Sequence, residues 1–68
     1  MKPASSIDRI CQAAIRVAAR DGILAMTIDN VAKDAGISKG GVMYHFPTKE
    51  QLLTGTMQHF GERAERML

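Results

Sequence analysis

Apolar residues along the chain recur at three- and four-residue steps and never alternate strictly, so the pattern predicts helices and no strands. Ile7, Ile10, Cys11, Ala14, Val17 and Ala18 fall on one face of a first helix. It opens at Ser5 or Ser6, because Ser5 and Asp8 have the spacing of a capping box. Gly22 stops it, in the left-handed role that glycine takes after a helix. Thr27 is the N-cap of a second, short helix whose buried stripe is Ile28, Val31, Ala32 and Ala35. Gly36 ends that one. Ser38 caps a third helix running to about His45, closed by Pro47, which disfavours a helical conformation in the residue before it. Thr48 and Gln51 form a second capping box and open a fourth helix. Its stripe is Leu52, Leu53, Thr56, Met57, Phe60 and Ala64. The expected fold is all-α: a small domain of three helices containing a helix-turn-helix, plus the start of a longer fourth helix. Residues 1–4 form a tail and 5–68 the domain. Because the fourth helix runs into Met67 and Leu68 without a stop signal, the expectation is an excised N-terminal domain.

Composition narrows the chemistry. Sixty-eight residues make one small domain with little core to spare. Cys11 is the single cysteine, which excludes an internal disulfide and a Cys₄ or Cys₂His₂ zinc site. Its apolar neighbours point to inert core, and an unpaired cysteine suits a reducing, cytoplasmic setting. No apolar run reaches the length of a membrane span, and the start "MKPASSIDR" lacks a signal-peptide core. Net charge is only +2, but its distribution is uneven. From Ala35 to Lys49 there are two lysines, one histidine and no acid, while all seven acids lie elsewhere. Such a strip suits a phosphate-facing surface, and in so short a window coincidence produces it too. His45 and His59 stand fourteen positions apart with no well-spaced carboxylate pair, so no metal is expected. Lys2 and Lys33 offer general phosphate attraction or simply a solvated face.

The stretch "TIDNVAKDAGISKGGVMYHF" has the layout of a helix-turn-helix. A small residue, Ala32, sits in its first helix, Gly36 at the corner, Ile37 just after it, and Val42 on the inner side of the second helix. In such a unit the later helix lies in the major groove with its N-terminal residues toward base edges. Gly40 and Gly41 then occupy its first turn, each at a cost of up to about 1 kcal/mol of helix stability relative to alanine. Two such costs side by side suggest a place where bulk is forbidden against DNA; the blander reading is a loop.

The residues "ILAMTIDNVAKDAGISKGGVMYHFPTKEQLL", preceded by Ala13-Ala14 and an Asp21-Gly22 end, make the chain resemble the N-terminal DNA-binding domain of TetR-family transcriptional regulators over roughly residues 7 to 60. The resemblance implies a role for each matching position. Thr27 would set the N-terminus of the second helix against a phosphate. Ser38 and Lys39 would open the recognition helix, about 38–45, with Lys39 reaching a phosphate or a guanine edge. Gly40 and Gly41 would lie against the groove, Tyr44 and His45 would contact phosphates, and Lys49 would grip one at the start of the fourth helix. The sequence departs from the family pattern at Met43, where the commonest pattern carries its tyrosine.

The function implied is sequence-specific binding of double-stranded DNA by the N-terminal domain of a bacterial ligand-responsive regulator, most readily a repressor. The family's C-terminal domain would bind a small-molecule effector and form a homodimer on a palindromic operator, with half-sites about 34 to 36 Å apart or a multiple of that. The fragment itself is expected to be monomeric, with no cofactor and no membrane contact. A rival expectation is a protein-interaction module using the fourth helix through Leu53 and Met57. An enzyme is discounted, since no nucleophile–base pair, phosphate loop or metal set is present.

Overall fold

A computed structural model describes the backbone of residues 5–67 and the side chains of residues 5–61. The expected tail and the Ala64 side chain lie outside the described residues. The described residues form four α-helices and a 3₁₀ turn: α1 (Ser6–Asp21), the turn (Ile23–Ala25), α2 (Ile28–Ala35), α3 (Lys39–His45) and α4 (Lys49–Met67). All-α architecture with a longer fourth helix is thus observed.

The helix starts are made by local side chains that accept from orphan N–H groups, as the sequence predicts. Ser5 Oγ accepts from Asp8 N at 3.1 Å, Thr27 Oγ1 from Asn30 N at 3.1 Å, Ser38 Oγ from Gly41 N at 3.0 Å and Thr48 Oγ1 from Gln51 N at 3.1 Å. The helix ends differ from one another. Gly36 is left-handed (φ 70°, ψ 32°), and Ile37 N donates to Ala32 O at 3.1 Å while Gly36 N donates to Lys33 O at 3.3 Å. That is a Schellman stop. Gly22 has positive φ (96°) but extended ψ (157°), so it departs from the left-handed conformation expected of it. The chain leaves α1 extended and tightens at once into the 3₁₀ turn, closed by Ala25 N to Gly22 O and Met26 N to Ile23 O.

α1 lies at the centre, packed on α2 and α4, while α3 packs on α2. The core joins Ile10, Ala13, Ala14 and Val17 of α1 to Met26, Val31, Ala32, Ala35, Val42 and Leu52. The small residues Ala13, Ala14, Ala32 and Ala35 let α1 and α2 approach closely, and Val42 is the α3 side chain that enters this core. Among the described residues two expected stripe positions are exposed instead: Ile7, in the first turn of α1, and Met57, on the solvent side of α4. α4 buries the narrow row Leu52 and Thr56 against the core, with Leu53 partly buried beside it; Met57 falls past the edge of the row.

Phe46, the C-cap of α3, is partly buried. It packs on the core and across α4 at Gly55, where an added Cβ would run into Phe46 Cε1 and come within 2.9 Å of Cδ1 and Cζ. Gly55 is therefore a slot for the ring.

Candidate nucleic-acid interface

The first turn of α2 is fixed on both sides of Thr27. Thr27 N donates to Ala25 O at 2.9 Å, and Asn30 Nδ2 reaches back to the same carbonyl at 2.7 Å. The corner at Gly36 is held from α1: Arg9 Nη2 donates to Ala35 O at 2.9 Å, a cation on the carbonyl end of α2, where it complements the helix dipole. Further along α1, Arg16 Nε meets Asp34 Oδ2 at 2.7 Å and Arg20 Nη1 meets Asp34 Oδ1 at 3.3 Å. These bonds hold the Asp34 carboxyl below the usual carboxylate range, the Arg16 hydrogen bond being the largest cause. α1 thus carries α2, and α2 carries α3.

On α3, Val42 is buried while Lys39, Gly40, Met43 and Tyr44 are exposed, as is the cap Ser38. Tyr44 is 83 % exposed, high for an aromatic ring in a domain whose tyrosine count is one. His45 is half-buried and meets the Tyr44 ring edge-on at 5.0 Å between centroids. Thr27 and Lys49 are each partly exposed at the first turns of α2 and α4.

The two glycines divide. An added Cβ at Gly40 would meet nothing within 4 Å, whereas at Gly41 it would lie 2.7 Å from Ile37 Cγ2 and 3.2 Å from Ser38 Oγ. Gly41 thus has an internal reason to be glycine: Ile37, just after the corner, and the Ser38 cap of α3 fill the space its side chain would need. Sequence reasoning, which set both glycines toward DNA, missed this.

It also missed Asp29. The strip from Ala35 to Lys49 is acid-free along the chain but not in space, because Lys39 Nζ lies 3.4 Å from Asp29 Oδ1 in the first turn of α2. Nothing in the linear sequence signals this contact, because the turn joins the last turn of α2 to the first of α3 and the pair is closed by the reach of the lysine side chain.

A second tie joins α1 to α4: His59 Nε2 lies 2.9 Å from Asp8 Oδ1. Beside it, burial pushes the Cys11 thiol up from its ordinary pKa. Thr56 Oγ1 is itself buried, with no partner in hydrogen-bonding geometry among the described residues.

The family model for bacterial regulatory proteins of the tetR family matches residues 10–56. The chain belongs to this family. Among curated proteins it is 40 % identical over 53 residues to the uncharacterized HTH-type transcriptional regulator YerO of Bacillus subtilis, covering 78 % of this chain and 18 % of that protein. It is 36 % identical over 59 residues to the HTH-type transcriptional repressor KstR2 of Mycolicibacterium smegmatis, covering 87 % of this chain and 29 % of KstR2. It is 39 % identical over 49 residues to the HTH-type transcriptional regulator BetI of Rhizobium meliloti, covering 72 % and 24 %. No solved structure gives a significant match. The matched span holds the 3₁₀ turn, α2 and α3 whole, most of α1, and the first turns of α4. The chain spans less than a third of the length of these relatives. Membership agrees with the helix-turn-helix read from the sequence and with a DNA-binding, transcription-regulating domain. Among the described residues no helix is long and apolar enough to cross a membrane.

Proposed function

We propose that this tetR-family domain binds double-stranded DNA sequence-specifically, with α3 in the major groove, as the N-terminal part of a cytoplasmic, ligand-responsive repressor. Longer chain of the kind its relatives have would supply the small-molecule site and the homodimer contact, and the operator would be palindromic. Thr27, Ser38, Lys39, Gly40, Gly41, Tyr44, His45 and Lys49 are the positions proposed to meet DNA. The observation that carries the reading is the outer face of α3. It presents Lys39, a bare backbone at Gly40, Met43 and an 83 % exposed Tyr44, while one valine suffices to anchor the helix. Burial does not account for such a face; contact with a charged, stacked partner does. The rival interface on α4 is weaker, since Leu53 already packs against the core and of that pair Met57 stands in solvent.

The test is an NMR titration of the isotope-labelled chain with a short random duplex. Salt-sensitive amide shifts are expected at Thr27, Ser38 to Gly41, Tyr44, His45 and Lys49, with dissociation constants around 10⁻⁴ to 10⁻⁶ M. Shifts gathered on α4 near Met57, or none with duplex in excess, would overturn the reading.

A further inference from the structure

We propose that Asp29 is an intramolecular competitor with DNA phosphates for the Lys39 ammonium, and thereby limits how tightly the domain holds arbitrary duplex; the inference rests on the DNA-binding reading of α3. Lys39 Nζ and Asp29 Oδ1 are 3.4 Å apart, with the side chains 58 % and 69 % exposed. An ion pair so exposed adds little to folding, so stability does not explain its placement. The dipole of α2 favours an acid at position 29 but has no bearing on a lysine across the corner. What the pair does have is position. It spans the first turns of α2 and α3, whose caps Thr27 and Ser38 are among the positions proposed to meet DNA.

A carboxylate oxygen and a phosphodiester oxygen offer an ammonium the same interaction, a compact anion accepting from a point charge with three rotatable donors. To reach a phosphate, Lys39 must release or share Asp29. The released carboxylate then stands unpaired beside a polyanion. Both effects oppose binding regardless of base sequence, and both fall on the sequence-independent part of the affinity. The locally basic strip is in this way partly neutralised until a partner displaces the carboxylate.

The experiment is fluorescence anisotropy of a labelled random-sequence duplex titrated with the chain. It compares wild type, Asp29→Asn, Lys39→Gln and the double variant, from about 50 to 200 mM salt. Asp29→Asn is expected to tighten binding about three- to tenfold at low salt and to steepen the salt dependence by up to about one in the log–log slope. Lys39→Gln is expected to weaken binding, and Asp29→Asn to give a smaller gain beside it than in wild type, because only the repulsion between the carboxylate and phosphate is then left to remove. Absence of a gain in Asp29→Asn overturns the proposal. So does a gain that persists undiminished beside Lys39→Gln, since Asp29 would then act by repelling phosphate alone and not by competing for Lys39. If wild type shows no salt-dependent binding, or Lys39→Gln binds as wild type does, the DNA reading through Lys39 fails and takes the proposal with it. Thermal melts by circular dichroism check folding, and Asp29→Ser, which keeps a residue suited to a first helical turn, repeats the comparison.

Discussion

At the scale of single residues, the adjacent glycines at the start of α3 separate folding from function. At Gly41→Ala the new methyl would sit 2.7 Å from Ile37 Cγ2, a branch methyl that cannot swing away without turning the whole side chain, and would press on the Ser38 cap. A loss of about 1 to 3 kcal/mol of stability is expected, measured by urea unfolding. Gly40→Ala meets nothing, so stability is expected to hold or to rise by up to about 1 kcal/mol from better helix propensity. Under the proposed function the same methyl weakens DNA binding. Equal losses of stability in the two variants would contradict this division. Thr56 gives a complementary case. Its hydroxyl is buried without a partner in hydrogen-bonding geometry among the described residues, and valine has nearly its shape. Thr56→Val is expected to leave stability unchanged or to raise it by about 1 kcal/mol, seen as a higher urea midpoint at unchanged slope. A clear loss would show that the hydroxyl has a partner after all.

At the scale of elements, the sequence made the helices legible because their ends are written in adjacent residues. Ser5, Thr27, Ser38 and Thr48 each cap within three positions, and Gly36 stops α2 by its own backbone conformation. What was not legible depends on residues far apart in the chain. Periodicity places Met57 on the α4 stripe as readily as Leu53, and only the position of α1 decides which is covered. Three residues of 3₁₀ turn have no period to read, which hid the burial of Met26. The proposed interface was readable as an outer face of α3, while its ion pair with Asp29 required the fold. The joint between α1 and α2 is of this long-range kind and carries a pH dependence. Asp34 is held below the ordinary carboxylate range by Arg16 first and by Arg20 as well. A depressed folded pKa means that this stabilisation is fully present above the unfolded value, near 3.9 for a free aspartate, and is lost as pH falls through the lower, folded value. Asp34→Asn is therefore expected to be less stable than wild type at neutral pH, and the gap to narrow as the solution is acidified below about pH 4. Melts at stepped pH check this. A gap that does not change with pH would mean that Asp34 acts by packing and not by charge.

At the scale of the whole molecule, the domain presents a single α3, whereas its proposed operator has two half-sites. Its curated relatives are several times longer than this chain, which leaves room in such proteins for the contact that would join two copies. The salt dependence of binding tests this division of labour without knowledge of the operator. Each phosphate neutralised contributes a slope of about −0.9 in the logarithm of affinity against the logarithm of salt. A monomeric chain using Lys39, Lys49 and its backbone contacts has a slope fixed by one copy. A tandem of two copies joined by a flexible linker long enough to span about 34 to 36 Å brings a second set of phosphates under the same binding event. Its slope on random duplex is expected to approach twice that of the single chain, and its affinity at low salt to exceed the single chain's by about a hundredfold or more. Sedimentation of the single chain is expected to show one species of one-chain mass throughout. If the single chain already sediments as a dimer, and the tandem gains neither slope nor affinity, then the pairing of recognition helices lies within these 68 residues and α4, with its exposed Met57, is the face to examine.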